Sequence, residues 1–178
     1  MRRVSTLTAV LVMAAVAARL TGQQPQPPKP GPELDHCKQL EGTWDATMKF
    51  MGAESKGTMI WKMDLGGLWL LEHFKGDFGG MPFEGRGATT YDPAKKKYVN
   101  VWIDSMTTSP MISEGTFNPD KKTMSMTGTM TGPDGKSMKH IMTSQMIDNN
   151  NILFTMRTPD ASGKEEEMFT ITYKRRAK

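Results

Sequence analysis

The side chains best suited to chemistry here are soft or isolated. Met126, Met138, His140 and Met142 fall at two-residue steps on alternating segments. Thioether sulfur with imidazole suits Cu(I). Flexible thioethers also line pockets for greasy ligands, and they fill irregular cores. Core filling ranks first, a pocket second and copper third, because two-residue steps along one strand hold ligands far apart. Glu72 is the second feature: a carboxylate placed by alternation among Trp61, Leu70 and Phe74. A buried acid needs a partner or a raised pKa. It would receive the polar head of a ligand, or pair with an inward Lys or Arg; a shifted register would expose it. Asp104 lies next to Ser105. His36 and His73 have no Ser, Cys or acid at triad-like spacing. A Glu72/Asp104/His140 cavity could move protons, but nothing in the spacing favours that over a passive pocket. There is no nucleophile elbow, phosphate loop or zinc helix. The sequence therefore leans away from an enzyme, and no cofactor or metal is assigned.

These residues are positioned by strands. Lys122 to Asp148 reads as a β-hairpin around the turn Gly132-Pro133-Asp134-Gly135. Met130 then pairs with Met138 and Met126 with Met142, so the even-numbered residues share one Met-rich face. From Gly42 onward strands and short turns alternate, giving ten strands at about 43–51, 54–64, 68–78, 82–91, 97–106, 111–118, 122–131, 136–147, 151–158 and 165–175. Short connections make successive strands antiparallel neighbours. A ten-strand meander with one apolar face closes most simply into an up-and-down barrel. Chaining the hairpins puts Trp61, Leu70, Glu72, Phe74, Phe83, Gly85, Gly87, Tyr91, Trp102 and Asp104 inside, with Trp102 opposite Gly87. Pairing Met106 with Met111 puts Phe117 inside, opposite Met124. The facing is most sensitive at Asp92–Lys96, where a one-residue slip would turn Val99, Val101 and Ile103 inward.

The 178 residues suffice for one domain with a real core. Met1 to about Gly22 has the form of a secretory signal peptide: a basic Arg2-Arg3 start, then an apolar run from Thr8 to Ala18 too short to span a membrane. Cleavage is expected after Ala18 or near Gly22. Gln23 stands where a lipoprotein would carry cysteine, so no lipid anchor is expected. The chain is then exported, periplasmic or secreted, with no membrane-spanning segment in its mature form. Residues 23–32 are a Pro-rich linker, and Leu34, Cys37 and Leu40 suggest a short helical plug. Removing Arg2, Arg3 and Arg19 leaves 20 basic against 19 acidic residues, with no basic stripe for nucleic acid. Cys37 is the only cysteine, so no intrachain disulfide forms.

Leu40-Glu41-Gly42-Thr43-Trp44-Asp45, Trp61-Lys62-Met63, Leu65-Gly66-Gly67, Pro82-Phe83-Glu84-Gly85 and Trp102-Ile103-Asp104-Ser105-Met106 come in an order that resembles the bacterial domain of unknown function family 1579. The resemblance runs from about Leu40 to Tyr173. Gly42-Thr43-Trp44 also resembles the Gly-x-Trp opening of calycins, the lipocalin and fatty-acid-binding barrels, which implies carriage of a small apolar ligand. Nitrobindin-like barrels share the ten-strand plan and bind haem through a C-terminal histidine. The last strand here has none, so haem would need His140 or a turned His73.

The expected protein is an all-β, ten-stranded antiparallel up-and-down barrel over residues 33–178, with a short N-terminal helical turn. Its interior would bind a small hydrophobic or amphipathic ligand through Trp61, Glu72, Phe74, Tyr91, Trp102, Asp104, Met126, Met138, His140 and Met142. The alternatives are a structural or interaction module with a packed core, presenting Trp69 and Leu71 outward, and a periplasmic haem or copper binder.

Overall fold

A computed structural model describes residues 26–132 and 135–177. The proposed leader lies outside the described residues, as do residues 23–25 of the linker and the Pro133-Asp134 turn tip. Residues 26–31 have no regular structure. A 3-10 turn, Pro32–Leu34, runs into helix α1 (Asp35–Leu40). Ten strands follow: β1 (Gly42–Phe50), β2 (Ala53–Asp64), β3 (Trp69–Phe78), β4 (Met81–Asp92), β5 (Lys97–Asp104), β6 (Met111–Asn118), β7 (Thr123–Thr131), β8 (Ser137–Asp148), β9 (Asn151–Pro159) and β10 (Glu165–Arg175). Each pairs antiparallel with its chain neighbours, and β10 pairs with β1 to close the barrel.

The predicted parity holds around the wall. Met63 pairs with Leu70, Tyr91 with Tyr98, Gly87 with Trp102, Phe117 with Met124 and Met126 with Met142. Period-two alternation thus carries one face inward on every strand. The β3–β4 turn is Gly79-Gly80, both with positive φ (61° and 87°), which suits the twist of a two-residue hairpin. Val101 and Ile103 stay outside and exposed. Trp69 and Leu71 are half-buried, not open.

One register differs from expectation. Met111 pairs with Trp102, four residues before Met106, and β5 ends at Asp104. The Asp104 carboxylate accepts from the Met106 amide (2.9 Å), and the Ser105 amide donates back to Glu84 O (2.9 Å). These bonds turn the chain away from β6 early. The shift is even, so Phe117 still faces inward.

The two ends differ. At one, Leu34 and Cys37 of the N-terminal segment are buried against the strands. Trp44 Nε1 donates to Leu40 O (2.9 Å), and Tyr98 Oη donates to Glu33 O (2.6 Å). The Arg175 guanidinium lies 4.0 Å over the Trp44 ring and donates to the Glu41 and Gln39 carbonyls. At the other end the β1–β2 and β3–β4 turns, the 105–110 loop and the start of β8 expose Met51, Met81, Met106 and Met138.

Candidate functional site

The barrel is hollow. Its interior holds a cavity of about 860 Å³, lined mainly by apolar side chains and reaching Ser105–Ser109 and Thr131–Gly132 at the end opposite α1. Nine of the ten residues singled out in the sequence line it. Tyr91 does not: its ring is edge-on to Tyr98 at 5.1 Å, packed near the plugged end.

Two halves are distinct. One is aromatic. Trp61 meets Trp44 (5.6 Å, 80°) and Tyr173 (5.1 Å, 64°) edge-on, with Leu70 and Phe74 beside them. The other centres on Met111, Met126, Met142 and Met156, with Tyr98. Trp102 packs against both. Its indole lies over the bare backbone of β4: a Cβ on Gly85 would sit 2.1 Å from Trp102 Cζ2, and one on Gly87 2.9 Å from Trp102 Cε3.

Glu72 is the polar centre of the aromatic half. Oε1 accepts from Thr89 Oγ1 (2.7 Å) and Asn100 Nδ2 (2.8 Å), and Oε2 accepts from Trp61 Nε1 (3.2 Å). Burial pushes its carboxyl pKa up, and the three donors pull it down. Its remaining accessible surface faces the lumen. No basic side chain among the described residues offsets its charge. The pairing with an inward Lys or Arg considered from sequence is therefore not made; Lys122 also lines the cavity but is not among the groups acting on Glu72. Thr89 and Asn100 are not singled out by the sequence reading, although parity with Gly87 and Tyr98 marks both as inward.

From Thr89 a row of laterally paired residues crosses the wall: Thr89, Asn100, Ser113, Gly128 and His140. His140 ends it, 1% exposed, with neither ring nitrogen hydrogen-bonded. Burial lowers its pKa. The Gly128–His140 pair is flanked by Met126–Met142 on one side and Met130–Met138 on the other. Asp104, by contrast, is occupied, accepting from Trp102 Nε1 (3.1 Å) as well as from the Met106 amide.

The other candidates are accounted for. His73 faces out, with Nε2 2.8 Å from Glu84 Oε1, so it cannot reach the lumen. His36 stacks on Phe117 at 4.1 Å. Its Nε2 lies 3.4 Å from Cys37 Sγ. This thiol–imidazole pair is tuned opposite to a nucleophile: burial pushes Cys37 up to about 12 and lowers His36. No three His, Cys, Asp or Glu side chains cluster as a metal site among the described residues. No helix among them is long and apolar enough to cross a membrane.

Fold and lumen together define a closed, ten-stranded antiparallel β-barrel with an internal cavity. The chain belongs to the family described as Protein of unknown function (DUF1579), whose model matches residues 29–175. A search of curated protein sequences finds no match. Among solved structures the chain is similar to Rv2717c from M. tuberculosis (12% identity, TM-score 0.59, covering 83% of this chain and 99% of that one). It is also similar to the S-type phycobiliprotein lyase CPES from Guillardia theta (9% identity, TM-score 0.56, 84% and 99% covered). A redesigned β-barrel bound to DFHBI aligns at 19% identity and TM-score 0.41, over 77% and 99%.

Proposed function

We propose that this protein is an exported binder of a small hydrophobic or amphipathic molecule, held inside the barrel. The observation that carries this reading is the cavity of about 860 Å³. Pockets for small molecules measure roughly 300–1,000 Å³, mostly apolar with a few convergent polar groups. Glu72 with its donors, and the row ending at His140, supply those groups. A space this large weighs against the packed-core alternative, since protein interiors are close-packed. The exposed methionines at the mouth give an apolar ligand a compatible rim. Export, to the periplasm or out of the cell, rests on the Arg2-Arg3 start and the short apolar run after it.

Native mass spectrometry after gentle purification tests the proposal. A co-purifying or exchangeable small molecule is expected. A chain that carries no ligand and takes up none from an apolar library would defeat it. His140 is the lumen's remaining candidate for haem or Cu(I), because its imidazole lacks partners amid methionine. Titration with haemin or Cu(I), comparing His140→Ala with the parent, decides that second reading: an unchanged affinity removes it.

A further inference from the structure

We propose that the lumen selects lipophilic organic cations, with an ammonium head at Glu72 and an apolar tail in the methionine half. This rests on the lumen being a ligand pocket, as proposed above, and names the ligand class.

Three features converge. The first is acceptor capacity. Oε1 of Glu72 already takes two donors, whereas Oε2 takes only Trp61 Nε1 (3.2 Å) and can accept one more. All three neighbours present donors to it, which favours the ionised form against the opposing effect of burial. The second is uncompensated charge. No basic side chain among the described residues pairs with it, and Cys37 and Tyr173, which its charge helps to hold above their ordinary values, keep their protons. An apolar ligand entering the cavity would expel water and leave this carboxylate costlier still. A ligand that brings a cation removes that cost. A fatty-acid head would meet like charge.

The third feature is the surrounding rings. Trp61 donates to one carboxylate oxygen. The Trp102 indole and the Glu72 carboxyl share the ground over Gly87, where a Cβ would lie 2.9 Å from one and 3.1 Å from the other. Trp61 turns its N–H edge to the acid, so it is the Trp102 ring beside the carboxyl that can attract an ammonium group through its quadrupole. Beyond them, unbranched methionines adapt to a tail of varied shape.

The test is calorimetric titration at neutral pH with octylamine, octanol and octanoate, which share a tail and differ in head. Octylamine is expected to bind at least about tenfold tighter than octanol, with octanoate weakest. Glu72→Gln should abolish the preference, bringing the ratio of octylamine to octanol affinity to within about twofold of one. Equal affinities for amine and alcohol would overturn the cation preference while leaving the pocket standing. So would an amine preference that survives Glu72→Gln. Failure of all three to bind would overturn the pocket reading as well. The ligand series on the unaltered chain decides the matter even if the variant does not fold.

Discussion

The aromatic and methionine halves of the lumen bury large side chains of opposite stiffness. Trp61 is held edge-on by Trp44 and Tyr173, and its N–H is committed to Glu72. Met126 faces Met142 across the β7–β8 ladder with no polar commitment. Their polar residues differ likewise: Glu72 has three partners and His140 has none. The rigid half can fix the position of a polar head, and the soft half can follow the shape of the rest. A binding site needs both, and here they are assigned to opposite walls.

The widest gap should appear on truncation. Trp61→Ala is expected to cost about 3–5 kcal/mol in urea unfolding, whereas Met142→Leu, which keeps volume, should cost less than about 1.5 kcal/mol. Equal costs would erase the distinction in stiffness. Next come the two buried polar groups under one replacement. Glu72→Leu strands the donors of Thr89, Asn100 and Trp61 and should destabilise by about 2 kcal/mol. His140→Leu removes two unpartnered nitrogens and should be neutral or stabilising by about 1 kcal/mol. Loss of stability in His140→Leu would show that the imidazole has partners in solution.

At Gly85 an alanine Cβ would strike the Trp102 ring at 2.1 Å, so Gly85→Ala should cost about 1–3 kcal/mol. Combining it with Trp102→Leu should recover part of that loss, since the obstacle is a side chain.

The smallest effect is the response to acid, and its sign differs between the halves. His140 has its folded pKa below 6.5, so its contribution is complete above that pH and is lost as pH falls toward the folded value. His36 acts in the same direction at the plug. Glu72 has its folded pKa above 4.5, so its contribution is complete below that pH and is lost as pH rises through the folded value. Thermal melts taken from neutral pH toward 5 should therefore fall less steeply for His140→Leu than for the parent. They should fall more steeply for Glu72→Gln. The same slope in all three would remove both assignments.

Most of the wall is legible in the sequence because side-chain parity survives errors in loop length. Met63 with Leu70, and Tyr91 with Tyr98, follow from the Gly66-Gly67 and Asp92–Lys96 turns alone. The β5–β6 connection is not legible, because Met106 and Met111 look like a pair while a side chain-to-amide bond from Asp104 ends the strand sooner. The lining is legible for the same reason as the wall. The hydrogen bonds are not. That Asp104 is engaged, that Glu72 lacks a basic partner and that His140 lacks any depends on rotamers and tilt, which alternation does not encode. Tyr91 points inward as expected yet packs beside Tyr98, because facing the axis does not determine height along it.

The junction of β1 with β10 has a kinetic consequence. It joins distant stretches of chain: Arg176 Nε reaches Asp45 Oδ1 at 2.7 Å across 131 residues. The other wall contacts link adjacent strands and can form locally. Loop-closure entropy makes the distant junction the slowest to form. Until it does, β1 and β10 each keep one open edge able to recruit a strand from another molecule. Arg175, which ties this junction to the plug, and Arg176, which ties it to β1 and β2, then govern how long refolding chains remain prone to aggregate.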